Sequence, residues 1–243
     1  MKGKAIFFFT LLNIWIWKVF LFSPIIAILI FCTTITFYLS LKNRKKYLSK
    51  FIMLFLFLLI FQVKTTVPSS LTSLTNDQIR QRDQRLREYP PVRINVFGKT
   101  LWIPAAHLLE GRIESIAFSR IKENFFETLD PNLYFFANSP RQRIGIDEFE
   151  KFPYIYLPFF IYGVFFLFEN KDKQILLISV FLPIILLSVL GHNNPIGPFL
   201  LFPFLAVATT IGANELSIYV AKNRIFLIIL LLILIQVISY EIY

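Results

Sequence analysis

The apolar residues of this chain come in long blocks, not in alternation. Uninterrupted stretches run from Ala5 to Leu41, Phe51 to Val63, Phe152 to Phe168, Ile175 to Leu190, Phe199 to Ile211 and Phe226 to Tyr240. A lipid-spanning helix needs about 20 residues of this kind, and roughly 17 at the least. The shorter blocks therefore borrow flanking residues, such as Tyr47 to Lys50, and end on lysines whose heads reach back to water. A soluble domain of 243 residues that is 56% hydrophobic, with 29 Phe, has no core large enough to hide that surface. The pattern predicts an all-α polytopic membrane protein.

The first block is about twice the length of one span. Lys18 and then Ser23-Pro24 lie near its middle, where a tight turn fits, so a hairpin of two short helices is expected there. The rival is one long tilted helix. Trp15 and Trp17 are expected beside Lys18 at the membrane interface, where indoles and ammoniums are tolerated. Charge placement favours the hairpin. With it, seven spans put Lys2, Lys4, Lys42, Arg44, Lys45, Lys46, Lys50, Lys171, Lys173, Lys222 and Arg224 on one side, against Glu169, Asp172 and Glu215. Eleven basic residues less three acidic ones give a net +8 there, while short opposite loops such as Gly191 to Pro198 are nearly uncharged. Basic loops stay in the cytoplasm. The expected product is a multi-pass protein of the cell membrane, with a cytoplasmic N-terminus that is a retained anchor and not a cleaved signal.

Three regions follow: residues 1–63 as the hairpin plus a third span, 64–151 as an external segment, and 152–243 as a four-span bundle. The external segment carries thirteen Lys or Arg against eleven Asp or Glu. Thr75-Asn76-Asp77-Gln78 resembles a capping box that opens a short charged helix. Asp83 and Arg87 form an i,i+4 pair on it, and it stops before Pro90-Pro91. Val92 to Ile103 alternates around Gly98-Lys99, which predicts a short β-hairpin. Beyond Pro104 the spacing turns helical, with Ile113, Ile116, Ala117, Ile121 and Phe125 on one stripe. That stripe lies either in the lipid surface or against other protein.

Chemical groups are sparse. The two histidines, His107 and His192, sit in no metal-ligand spacing, and the lone Cys32 forms no internal disulfide, so neither a metal nor a cofactor is expected. The +10 net charge is mostly the basic-inside asymmetry, so nucleic acid is not an expected partner. Apart from Lys18 the spans hold no charge, which disfavours coupled transport, and Thr33, Thr34, Asn13 and Gln62 do not replace one. The Gly191-His192-Asn193-Asn194-Pro195 turn offers His192 and Asn193 to a lipid headgroup or sugar phosphate. The alternative is a capped turn that satisfies two helix ends. Arg141 and Arg143 present planar donor forks to phosphate, or pair with Asp147 and Glu148. No carboxylate pair is marked as a catalytic base.

From Asn124 to Leu216 the chain carries Asn124-Phe125-Phe126, Leu133-Tyr134-Phe135-Phe136, Gly145 and Tyr156-Leu157-Pro158-Phe159-Phe160-Ile161-Tyr162-Gly163. Leu182-Pro183, Gly191-His192 and Leu201-Phe202-Pro203-Phe204-Leu205 follow. This order resembles the later part of bacterial GT-C type glycosyltransferases, the protein mannosyltransferase and ArnT-like group. The resemblance implies a helical bundle with external loops acting on polyprenyl-phosphate-linked sugars. Such enzymes carry an acidic catalytic motif in the first external loop. Here the turn around Phe22-Ser23-Pro24 has no acid, and no arginine stands near His192. The expectation is an accessory or degenerate module that binds the lipid-linked substrate through His192, Asn193, Arg141 and Arg143. It would work beside a membrane protein partner or as a homo-oligomer. The alternative is a non-catalytic structural subunit of a cell-envelope or surface complex.

Overall fold

A computed structural model describes residues 4–68, 70–74, 76–88, 91–103, 113–136, 149–170 and 173–222, together with Ile228. The elements in order are α1 (Lys4–Leu11), α2 (Ile14–Phe22), α3 (Pro24–Lys42), α4 (Arg44–Thr65), α5 (Asn76–Glu88), strands β1 (Val92–Val96) and β2 (Lys99–Ile103), α6 (Ile113–Leu129) and α7 (Asn132–Phe135). After a 3-10 turn at Tyr154–Tyr156 come α8 (Leu157–Asn170) and α9 (Lys173–Leu190). A second 3-10 turn at Phe199–Leu201 leads into α10 (Phe202–Lys222).

Among the described residues, three helical stretches are long and apolar enough to cross a bilayer: Pro24–Lys42, Arg44–Thr65 and Phe199–Leu216. A fourth is present if the pair α1 and α2, bent by 59°, is a single broken span. α8 and α9 are shorter apolar helices. The expected last block, Phe226 to Tyr240, lies outside the described residues apart from Ile228.

Local sequence explains the breaks. Ser23 is extended at φ −157° and ψ 107°, and Pro24 then occupies the first turn of α3, where its missing N–H costs nothing. The turn expected at Ser23-Pro24 is therefore present. A second break, not anticipated, falls at Asn13, whose side-chain oxygen accepts the Trp15 N–H at 2.8 Å as the N-cap of α2.

Basic connections gather at one end of the bundle. The α3–α4 turn sends Arg44 Nη2 to Gln174 Oε1 at 2.6 Å, at the start of α9. Lys42 shares a cleft with Phe166, Asn214 and Glu215 of α8 and α10. The other end collects Thr65 to Val67, the loop from Gly191 to Pro198, and the start of α10.

The tightest helix pair is α8 with α10. Phe160 meets Phe204 at 6.2 Å, and Gly163 meets Ala208 and Gly212, so the two run in the same direction. Ala208-Thr209-Thr210-Ile211-Gly212 places small residues four apart, which lets the backbones touch. A Cβ added at Gly163 would land on the Ala208 carbonyl oxygen, and one at Gly212 on the Phe159 carbonyl oxygen. Above this seam lies an aromatic core. Trp15 packs on Phe202 at 5.4 Å, Phe152 at 5.9 Å and Tyr134 at 6.3 Å, and Phe135 on Phe160 at 5.4 Å. Trp15 is thus fully buried in protein, its ring filling the space between α2, the Phe152 segment and α10. Trp17 is the exposed indole of the pair and donates to the Leu11 carbonyl at 2.7 Å.

Residues 113–136, counted with the external segment in sequence, pack on the bundle. Asn124 Nδ2 donates to the Ser188 carbonyl at 3.0 Å, and Thr128 meets His192 one turn on, so α6 follows α9 in the same direction. The described residues of the expected α6 stripe, Ile116, Ala117, Ile121 and Phe125, are half-buried. Asn124, Glu127 and Thr128 are the helix's buried residues, while Phe118, Phe126 and Leu129 face outward. Hydrogen bonds to α9 and the apolar residues Ala117 and Ile121 therefore share one side of the helix. On α5, Asp83 pairs with Arg82 at 2.8 Å and not with Arg87. The β-hairpin forms as expected, in the register Val92↔Ile103 to Val96↔Lys99. Its turn is Phe97-Gly98, at φ 50° and 76°, one residue earlier than the sequence pattern placed it.

The seam makes a direct prediction. Gly212→Val forces α8 away from α10 and lowers stability by about 1–3 kcal/mol, the usual cost of overpacking. Ile161→Val, at an outward-facing position of α8, is the control. Thermal unfolding of the detergent-solubilised protein is the check.

Candidate functional site

The turn between α9 and α10 is non-helical backbone packed inside the bundle, so each polar group in it needs a protein partner. Gly191, at φ 81°, ends α9 and donates its N–H to the Leu187 carbonyl at 2.8 Å. Asn194 then bends the chain back. Its Oδ1 accepts the Ile196 N–H at 3.0 Å, and its Nδ2 donates to Thr65 Oγ1 at 2.9 Å and Thr66 Oγ1 at 3.3 Å on α4. Gln62 completes the clasp, accepting the Leu200 N–H at 3.1 Å and donating to Thr66 Oγ1 at 2.9 Å. Trp15 Nε1 donates to the Ile196 carbonyl at 2.6 Å, which ties α2 to the same loop.

His192 is 4% exposed and turned toward α6. Its Nε2 lies 2.9 Å from Thr128 Oγ1 and 3.1 Å from the Asn124 carbonyl. A carbonyl only accepts, so these partners assign the proton to Nε2. Thr128 Oγ1 gives its own proton to the Asn124 carbonyl at 2.7 Å. Asn193, by contrast, has an exposed side chain and accepts the Val67 N–H at 2.9 Å through its backbone. The two neighbours therefore point to different surroundings: His192 into the α6–α9 contact and Asn193 outward. Arg141, Arg143 and His107 lie outside the described residues.

A second cluster escaped the sequence reading. Lys151 is 1% exposed and donates to the Leu133 carbonyl at 2.9 Å. Its stem covers Gly197, where a Cβ would stand 2.5 Å from Lys151 Cε. The ring of Phe149 lies 5.2 Å from the Lys151 ammonium and 3.8 Å from that of Lys18 on α2. Lys18 was legible as an unusual charge in an apolar run, but its aromatic partner, 131 positions away, was not. Asn13 was legible only as a polar residue in a greasy stretch. It is 1% exposed, and its Nδ2 has no hydrogen-bond partner among the described residues.

Between α1, α2 and α3 lies an apolar groove of about 200 Å³, lined by Leu11, Ile16, Trp17, Phe20, Ala27, Ile28 and Phe31. No side chain in that lining can accept or donate a proton or hold an anion, apart from the Trp17 indole N–H, which is already spent on Leu11. The groove presents an apolar lining throughout. Among the described residues, no group of three or more His, Cys, Asp or Glu stands together to hold a metal ion.

No family model matches the chain, and neither a curated protein nor a solved structure does.

The clasp can be tested. Asn194→Leu leaves the buried Ile196 N–H without its acceptor, a loss worth about 1–3 kcal/mol, and takes one donor from Thr65 and Thr66, whose hydroxyls keep their bonds to the Phe61 and Gln62 carbonyls. We expect a clear drop in the unfolding midpoint for Asn194→Leu and almost none for the exposed neighbour change Asn193→Ala. Circular dichroism melts in one detergent measure both.

Proposed function

We propose that this chain is a membrane module of a lipid-linked-sugar glycosyltransferase system, accessory or degenerate, that holds the hydrocarbon of a polyprenyl-phosphate substrate. The observation that carries the reading is the groove between α1, α2 and α3, with Trp17, Phe20 and Phe31 in its wall. Its lining is wholly apolar and three aromatic faces border it, a chemistry that fits unsaturated isoprenoid chain. The order of motifs from Asn124 to Leu216, similar to the later part of GT-C enzymes, supplies the substrate class.

In this reading seven spans cross the membrane, with the N-terminus and the α3–α4 and α8–α9 connections in the cytoplasm, and the stretch between α4 and α8 on the outer side, where α6 leans against the outer part of α9. His192 sets the shape of the external turn from within. Asn193, Arg141 and Arg143 then meet the phosphate from the solvent side. A companion membrane protein supplies the acidic catalytic loop that the Phe22-Ser23-Pro24 turn lacks.

The second reading is a structural subunit of an envelope complex. The outward faces of Phe118, Phe126 and Leu129 on α6 favour it, since such residues seat equally well on another membrane protein.

The two readings separate on bound lipid. We expect the protein, extracted with its surrounding native membrane, to carry polyprenyl phosphate above the level of an unrelated multi-spanning protein from the same cells. Ile28→Trp, which fills the groove, should lower that enrichment about tenfold, equivalent to ~1.4 kcal/mol of binding. Lipid mass spectrometry reads both. Background polyprenyl phosphate together with a stable partner of another class would overturn the glycosyltransferase reading in favour of the structural one.

A further inference from the structure

The β-hairpin is the one described element that presents an ordered apolar face to no other described element. Its register places Val92, Ile94 and Val96 of β1 on the same face as Leu101 and Ile103 of β2. All five are exposed. The opposite face is polar and internally matched: Arg93 stacks on Trp102 at 4.1 Å, and Thr100 Oγ1 donates to Asn95 Oδ1 at 2.9 Å. The tip is unusual. Two-residue turns with positive φ ordinarily use Asn-Gly or Asp-Gly. Here Phe97 holds φ 50° and carries a fully exposed ring beyond the last strand pair.

A two-stranded ribbon by itself is marginal in water, so a surface has to complete this one. Charge says which. Residues 91–103 contain Arg93 and Lys99 and no acidic residue. The chain that carries the hairpin leaves the apolar helix α4 at Thr65 and leads into α6, which packs on α9 through Asn124 and Thr128, so the helices on both sides of it belong to the bundle. We propose that the hairpin lies on the bilayer with its Val92–Ile94–Leu101 face in the acyl boundary and Phe97 inserted, and that Arg93 and Lys99 meet anionic lipid phosphates. Lys99 stands across from Val96 at the end of the apolar face, where its stem lies along the boundary while the ammonium reaches the headgroups. The proposal needs only a membrane-embedded chain and stands apart from the lipid-linked-sugar reading.

The test uses the full chain in nanodiscs, either phosphatidylcholine alone or phosphatidylcholine with phosphatidylglycerol. With Cys32→Ser as background, single nitroxides are placed through Phe97→Cys, Ile94→Cys and Asn95→Cys, and through Gln81→Cys on α5 as a water-exposed reference. Relaxation by oxygen against a water-soluble nickel chelate reports depth. At Phe97 and Ile94 we expect immersion in the anionic discs, and at Asn95 and Gln81 access from water. The alternation from 94 to 95 keeps the test informative even where a label at the tip disturbs the turn. Arg93→Gln and Lys99→Gln should each lower the immersed-to-free ratio about fivefold in anionic discs, the loss of one cation beside such a surface, and leave the neutral discs unchanged. Three outcomes overturn the proposal. One is nickel access at 94 and 97 equal to that at 81. Another is dipolar broadening that vanishes on dilution with unlabelled chain, which assigns the face to a second copy. The third is shielding from both reagents, which assigns it to protein.

Discussion

Hydrocarbon offers a backbone nothing to bond with, and much of this structure follows from that condition. Within the helices the answer is local. Thr10, Thr34, Thr209, Thr210 and Ser188 each give their hydroxyl proton to the carbonyl four residues back, at 2.6 to 2.8 Å, so buried polar side chains cost the bundle little. At the α9–α10 turn the answer is long-range. Gln62, Thr65, Thr66, Asn194 and Trp15 come from three separate stretches to satisfy one loop. Polar residues in greasy stretches are therefore mostly structural here, and a site has to be sought where they are absent, in the groove between α1, α2 and α3.

Packing then does what burial from water does in soluble proteins. Lipid tails are as apolar as leucine, so helices associate through close contact and not through escape from water. Gly163, Ala208 and Gly212 give α8 and α10 that contact through bare backbone. The aromatic core around Trp15 gives it through interlocked rings, where each pair adds about 0.5–1.5 kcal/mol beyond its buried area. The same condition explains α6. Its inner face carries Asn124 and Thr128, which the Ser188 carbonyl and His192 meet, and Phe118 and Phe126 turn outward.

The sequence made the coarse architecture legible because blocks of apolar residues, a Ser-Pro turn and clustered lysines each act locally. The ends of α3, α4 and α5 and the β-hairpin fall close to where pattern alone puts them. What pattern could not give were relations across distance. That His192 is spent on α6, that Trp15 is a core residue, and that Lys18 and Lys151 share one phenylalanine ring all depend on which helices become neighbours. Ala208-x-x-x-Gly212 was readable in principle, as small residues four apart in an apolar stretch, but amid 29 phenylalanines the absence of bulk is easy to overlook. The stripe expected on α6 left lipid and protein open as its cover, and only the arrival of α9, with the Ser188 carbonyl and His192, decides which residues are covered.

The Gly163–Gly212 contact has a consequence for synthesis. Its two halves are separated by the whole of α9 and the following loop, so α8 emerges from the ribosome roughly fifty residues before its mate. Until then its glycine notch stands open to whatever helix drifts by, and the newborn chain is most vulnerable to mispairing during that interval. A chaperone or insertase that shields α8 for those few seconds would matter more to the yield of this protein than to its finished stability.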